Sequence, residues 1–273
     1  MRVLMLECEH GVSEELKYAS CVARMYAKLF RSMGHEVIEV RRPSASEATV
    51  AVLVYKPDII WVVGHGTDEV QTVENLSEWV SVKKNLDLYV NRVIVAHSCF
   101  TAKKLGEEAV KRGAKAYFGF LDVFYYPWCV DTENYNCACE GRNPWGVSEA
   151  LWYRLVTGVQ EVPLKFLEGY LKYNDFGKAM EYMRSYAEEF VEWALRYPAR
   201  SPVEESVIRT AVWCIDHDVD NAVLLTPEER IMTQLSVGLP VSFLLVVAII
   251  LLLVVSIILF GGGSYAYARP ESV

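Results

Sequence analysis

The sequence predicts an α/β fold: a parallel β-sheet covered on both faces, then C-terminal helices, then one transmembrane helix. Three observations predict it. Strand-like apolar runs alternate with helical stretches over the first 121 residues, the order that builds a parallel sheet. The run at 58–63, "DIIWVV", is continuously apolar after Asp58 rather than alternating, as in a strand buried on both faces. The run at 239–260, "LPVSFLLVVAIILLLVVSIILF", carries no charge and only two serines. Some twenty such residues, at about 1.5 Å each, cross a ~30 Å hydrocarbon layer.

The elements follow in order. Residues 2–8 read as a first strand. Residues 13–33 have helical spacing, with Leu16, Ala19, Val22, Ala23, Tyr26, Leu29 and Phe30 on one face. Ser13 suits the N-cap and Gly34 the end. "HEVIEVRR" at 35–42 alternates as a second strand. Residues 44–55 form a short helix stopped by Pro57, and 58–63 form the third strand. Residues 67–88 are a polar connection containing a helix. Residues 92–97 are the fourth strand, 101–112 a helix and 114–121 the fifth strand. A loop-like stretch runs over 127–144. Helices are predicted at 148–157, 163–172, 177–197 and 203–215, with a last short strand at 221–227. The α/β core is thus 1–147, and 148–228 is a helical extension completing the same domain. A linker at 229–238 leads into the span at 239–260, and a tail occupies 261–273.

Composition excludes several classes. The net charge of −8 argues against a nucleic-acid binder, which needs a basic footprint. The abundant aromatics argue against disorder. The N-terminal "MRVLMLECEH" lacks the long apolar run of a signal peptide, because Glu7 and Glu9 interrupt it. The expectation is therefore a single-pass, C-terminally anchored protein whose domain stays cytoplasmic. Arg230 and Arg269 are too few to set orientation by charge, and Ser264, Tyr265 and Tyr267 fall at the interface. The seven cysteines are odd in number and irregularly spaced, which fits free thiols better than a disulfide framework.

The chemistry lies at two strand ends. The third strand runs into Gly64-His65-Gly66, and the fourth, "RVIVAHSCF", into Cys99. In a parallel sheet the functional crevice lies beyond the carboxyl ends of the strands. If these strands are neighbours, the imidazole and the thiol meet there. A thiol becomes a nucleophile once deprotonated, which an adjacent imidazole or helix N-terminus favours. The glycines leave room for a substrate backbone, and the Gly66 amide is available to an oxyanion.

"WVVGHG" and "VIVAHSCFTAKKLGEEAVKRGAKAYFGF" resemble the His-Gly and Cys blocks of the caspase-like (clan CD) cysteine peptidases, a clan that includes caspases, legumains and gingipains. The resemblance spans 2–121. It continues loosely into "LKYNDFGKAMEYMRSYAEEF", which is similar to a late helix of gingipain-like domains. It implies a caspase-like (flavodoxin-like) sandwich with Cys99 as nucleophile, His65 as acid/base and Gly66 as oxyanion donor. It also implies a protein or peptide substrate and no cofactor. In that clan acidic pockets accept basic side chains, so Asp122, Asp131 and Glu133 become candidates for the substrate pocket. With the C-terminal span, the expected function is a membrane-anchored cysteine endopeptidase. The sequence leaves self-association open.

Alternatives remain at several positions. Ser98 stands where these families often have alanine or glycine. His97 lies two residues before Cys99, so on a strand it can share a face with it and compete as base or ligand, but the favoured reading is a packed or hydrogen-bonded residue. Cys129, Cys137 and Cys139 offer a partial zinc set without a convincingly spaced fourth ligand, or a pairing of Cys129 with Cys137 or Cys139. Asp216-His217-Asp218 reads as a turn rather than a metal site. A catalytically silent scaffold tethered to the membrane is the alternative function. A nucleotide-binding reading ranks low, since "CEHGVSEELK" provides no Gly-rich phosphate loop.

Overall fold

The computed structural model describes residues 1–9, 15–125 and 147–228. Five strands run parallel: β1 (Arg2–Glu7), β2 (Glu36–Arg41), β3 (Ile59–Val63), β6 (Val93–His97) and β7 (Ala116–Phe120). β8 (Ala222–Leu225) joins the edge of β7 antiparallel. The order across the sheet is β2-β1-β3-β6-β7-β8. The chain therefore leaves β1 toward one edge and returns to the other side of it. That reversal between β1 and β3 is where α/β sheets open a crevice at their carboxyl ends. Every residue of β3, β6 and β7 is buried, as their continuous apolar runs require.

Seven α-helices occur among the described residues. α1 (Glu15–Ser32) ends at Gly34, which adopts a φ of 87° that side-chain-bearing residues rarely take. α2 (Ala45–Tyr55) starts at Ser44, whose hydroxyl accepts from the Glu47 amide while the Glu47 carboxylate accepts from the Ser44 amide, a reciprocal cap. α3 (Lys104–Arg112) ends at Gly113. α4 (Glu149–Gln160), α5 (Val162–Tyr173), α6 (Phe176–Arg196) and α7 (Pro202–Asn221) follow. Phe118 of β7 stacks on Phe166 of α5 at 4.2 Å, on one face of the sheet. Tyr117, pointing the other way, lies under α3, where a side chain at Gly106 would meet its ring at 2.9 Å.

Three expectations change. Residues 67–88 hold no α-helix: β4 (Val70–Val73) and β5 (Ser77–Ser81) form an antiparallel hairpin. Asn75 and Leu76 both take positive φ at its turn, as a tight hairpin demands. Trp79 and Val80 bury the strand, and the Trp79 indole donates to Thr49 Oγ1 at 3.2 Å. Residues 216–218 are not a turn but lie within the last two turns of α7 (Pro202–Asn221). Cys8, Cys99 and Cys214 form no disulfide, whereas Cys21 is disulfide-bonded. Irregular spacing thus did not exclude a bridge.

Met1–Pro227 form one compact unit. No helix among the described residues is long and apolar enough to cross a membrane, and the 239–260 segment lies outside them.

Candidate functional site

β3 and β6 are neighbours in register, Val63 opposite His97. The Gly64 amide donates to the His97 carbonyl at 3.4 Å, so the pairing runs one residue further. His65 and Cys99 therefore stand at matched positions, each two residues past that pair, and both are half-buried.

The geometry explains why the histidine is bracketed by glycines. A side chain on Gly64 would lie 2.5 Å from the Thr72 carbonyl oxygen. One on Gly66 would lie 2.6 Å from the Cys99 carbonyl oxygen and 2.4 Å from Thr101 Cγ2. Backbone presses on both glycines, from the β4–β5 hairpin on one side and the Cys99 turn on the other. The same hairpin fixes His65: its carbonyl accepts from the Thr72 amide at 3.0 Å and from Thr72 Oγ1 at 2.8 Å. Gly66 faces Gln71 across the bridge, whose bonds run from Thr72 N to His65 O and from Thr67 N to Val70 O. The Gly66 amide is outside that pair of bonds and donates to no acceptor among the described residues.

After β6 the chain turns sharply. Phe100 has φ 61°, a left-handed conformation that costs a bulky residue roughly 1–2 kcal/mol. The turn is held because Phe100 N donates to Asp122 O and Ala102 N to Phe120 O, both at 3.1 Å. The expected helix N-terminus at the sulfur is displaced. α3 begins at Lys104, and its Leu105 amide is taken by the Asp68 carbonyl at 2.8 Å. A helix dipole fades within its first turn, so it does not serve Cys99. A different donor does: the Phe124 amide reaches Cys99 Sγ at 3.4 Å.

Asp122 lies at this edge, its side chain half-exposed, with Oδ1 accepting from the Val123 amide at 2.8 Å and Oδ2 3.8 Å from His217 Nε2. Asp131, Glu133, Cys129, Cys137 and Cys139 lie outside the described residues. No group of three metal-ligating side chains occurs among the described residues.

His97 is only 4% exposed. Its ring packs edge-on against Phe124 at 4.5 Å and Trp61 at 6.0 Å. Burial lowers its pKa to about 3, so it is neutral at ordinary pH. Position i and i+2 do share a strand face, but the strand ends at His97 and the turn carries Cys99 out to the rim.

Of two buried acids at this edge, sequence reading assigns Glu7 no role in the site and takes Asp218 for part of a turn. Glu7 closes β1 opposite Val63, fully buried. Its Oε2 is 3.8 Å from the Nε of both Arg24 and Arg41, and neither carboxylate oxygen has a hydrogen bond. Burial, with the nearby Glu39, raises its pKa to about 7. The signal was a glutamate ending an otherwise apolar strand. Asp218 of α7 is also fully buried; its Oδ1 accepts from the Tyr125 amide at 2.8 Å.

No family model matches the chain, and no curated protein matches it. Among solved structures, the complex of Porphyromonas gingivalis RgpB pro- and mature domains is similar, with a TM-score of 0.40 and 10% identity over 77% of this chain. The match takes in 45% of that chain, so this protein spans under half its length. A likeness this distant carries no argument about function, which rests on the site itself.

Proposed function

We propose that the chain is a caspase-like cysteine peptidase with a Cys99–His65 dyad. The observation that carries this reading is the matched placement of the two residues past adjacent parallel strands, with the Phe124 amide on the sulfur. In the proposed reaction His65 accepts the Cys99 proton and the sulfur attacks the peptide carbonyl carbon. The Gly66 amide holds the resulting oxyanion. The C–N bond then breaks, the leaving amine takes the proton from His65, and a thioester remains. Water attacks the thioester with His65 again as base, releasing the acid and restoring the thiol. Asp122, Asp131 and Glu133 are the proposed partners of a basic side chain of the substrate.

The same reading places the 239–260 segment in a bilayer, with the domain on the cytoplasmic side. Deleting 239–260 should move the chain from the carbonate-resistant membrane fraction to the soluble one. Persistence in the membrane would sink the anchor.

The test of the enzyme is a peptide-library digest with the full-length chain, beside labelling by an acyl-type thiol probe. Cys99 should label selectively, and Cys99→Ala should abolish both labelling and cleavage. A chain that cleaves nothing and whose Cys99 ignores the probe is instead a silent scaffold.

A further inference from the structure

The Asp216-His217-Asp218 stretch has no role in the reaction above, yet it lies against the segment that serves Cys99. Residues 121–125 leave β7 and cross the crevice edge, and the end of α7 clasps them at three points. Leu121 N donates to the Asn221 carbonyl at 2.9 Å. Asp122 Oδ2 lies 3.8 Å from His217 Nε2. Tyr125 N donates to Asp218 Oδ1 at 2.8 Å. From inside this clasp the Phe124 amide reaches Cys99 Sγ. Phe124 and Tyr125 are consecutive, so fixing one amide fixes the plane next to the other.

Asp218 is unusual in its place. It is fully buried, its Oδ2 has no hydrogen-bond partner, and its one strong bond goes to Tyr125 N. A buried carboxyl with one oxygen lacking a hydrogen-bond partner costs stability. Such cost is expected where a group positions others rather than packs the core. The titratable groups around it are His217, whose Nδ1 is 3.5 Å away, and Cys214 one turn earlier on α7. The Tyr125 ring covers the same spot, edge-on to His217 at 4.8 Å and tilted on Trp213 at 4.9 Å.

We propose that Asp218 is a positioning residue for Cys99: it holds the Tyr125 amide, and through that peptide holds the Phe124 amide on the Cys99 sulfur. The proposal rests on Cys99 being the nucleophile, and it concerns the donor that stabilises negative charge there. A hydrogen bond to a charged group accounts for a factor of roughly ten or more in the population of the charged form.

The experiment reads alkylation of the full-length chain by iodoacetamide, site by site. Cys8 is fully buried and free, so its labelling reports loss of the fold. In folded Asp218→Ala, Cys99 should label roughly tenfold more slowly than in the parent. Asp218→Asn keeps an oxygen at the Oδ1 position and should restore most of the rate. If Asp218→Ala exposes Cys8, Asp218→Ser is read in its place, since its hydroxyl stays polar but stops short of Tyr125. An unchanged Cys99 rate in the folded Ala or Ser variant overturns the proposal. So does an Asn variant as slow as Ala. The readout is separate from cleavage. Slowed labelling in a chain that cuts no peptide keeps the positioning and loses the peptidase. Unslowed labelling in a chain that cuts peptides does the reverse.

Discussion

The carboxyl edge of the sheet has two tiers, and they treat the same residue types in opposite ways. The inner tier, Glu7, Val63 and His97, lies in register across β1, β3 and β6 and is buried. The outer tier, two residues further on, holds His65 and Cys99 half in solvent. In the inner tier burial forces both ionisable groups toward neutrality, lowering the His97 pKa and raising that of Glu7. A histidine held neutral down to about pH 3 is a poor proton acceptor for a thiol. What separates a packing histidine from a candidate base here is two residues of chain, not the sheet face it starts on.

Exchanging the tiers' histidines breaks this comparison most sharply. His65→Ala should lower peptide cleavage by about 10² to 10⁴, the usual scale of general acid–base catalysis. His97→Leu, of similar size and apolar, should leave the cleavage rate of the folded chain within about threefold. The reverse ranking would mean that the base had been misassigned. His97→Leu should instead change stability. Unfolded histidine titrates near 6.5 and His97 near 3. Between those values the unfolded chain binds the extra proton, so stability falls as pH falls. The whole effect is about 5 kcal/mol at 1.36 kcal/mol per unit. Urea midpoints at pH 4 and pH 7 should differ less in the variant than in the parent. An equal difference would show that His97 is not buried neutral.

The tiers were legible in the sequence to different degrees. The strands of the core announce themselves, because "IIWVV" and "VIVAH" are too apolar to lie anywhere but in a covered sheet. Strand ends followed by Gly-His-Gly and by Cys then placed His65 and Cys99 at one edge. The hairpin at 70–81 was missed because its short strands, "VQTV" and "SEWVS", are no more apolar than a surface helix. The donor to Cys99 was missed for a different reason. A backbone amide such as that of Phe124 carries no sequence signature, and it is brought in from 25 residues away by the fold. Asp218 was read as part of a turn because three polar residues in a row look like a helix end. α7 tolerates them by exposing Asp216 and burying Asp218.

Glu7 gives the smaller and more discriminating test of the inner tier. Its pKa rises from 4.5 unfolded to about 7 folded. Between those values the folded chain holds the extra proton, so this group makes stability fall as pH rises, opposite to His97. The effect is about 3 kcal/mol, complete above pH 7. From pH 4.5 to 6.5 the two groups offset each other, the folded chain gaining one proton at Glu7 and forgoing one at His97. Glu7→Gln removes one side of that balance while keeping a polar side chain of the same size. Relative to the parent, the variant should gain about 3 kcal/mol of unfolding free energy between pH 4.5 and pH 7. Taking the difference cancels the titration of distant groups. Arg24 and Arg41, each 3.8 Å from the carboxylate, are what could defeat the prediction. If they hold Glu7 ionised in the folded chain, the gain vanishes and Glu7→Gln is destabilising above about pH 4.5, by an amount that stays level toward neutrality. Urea unfolding of parent and variant at pH 4.5, 6 and 8 separates the two outcomes by sign.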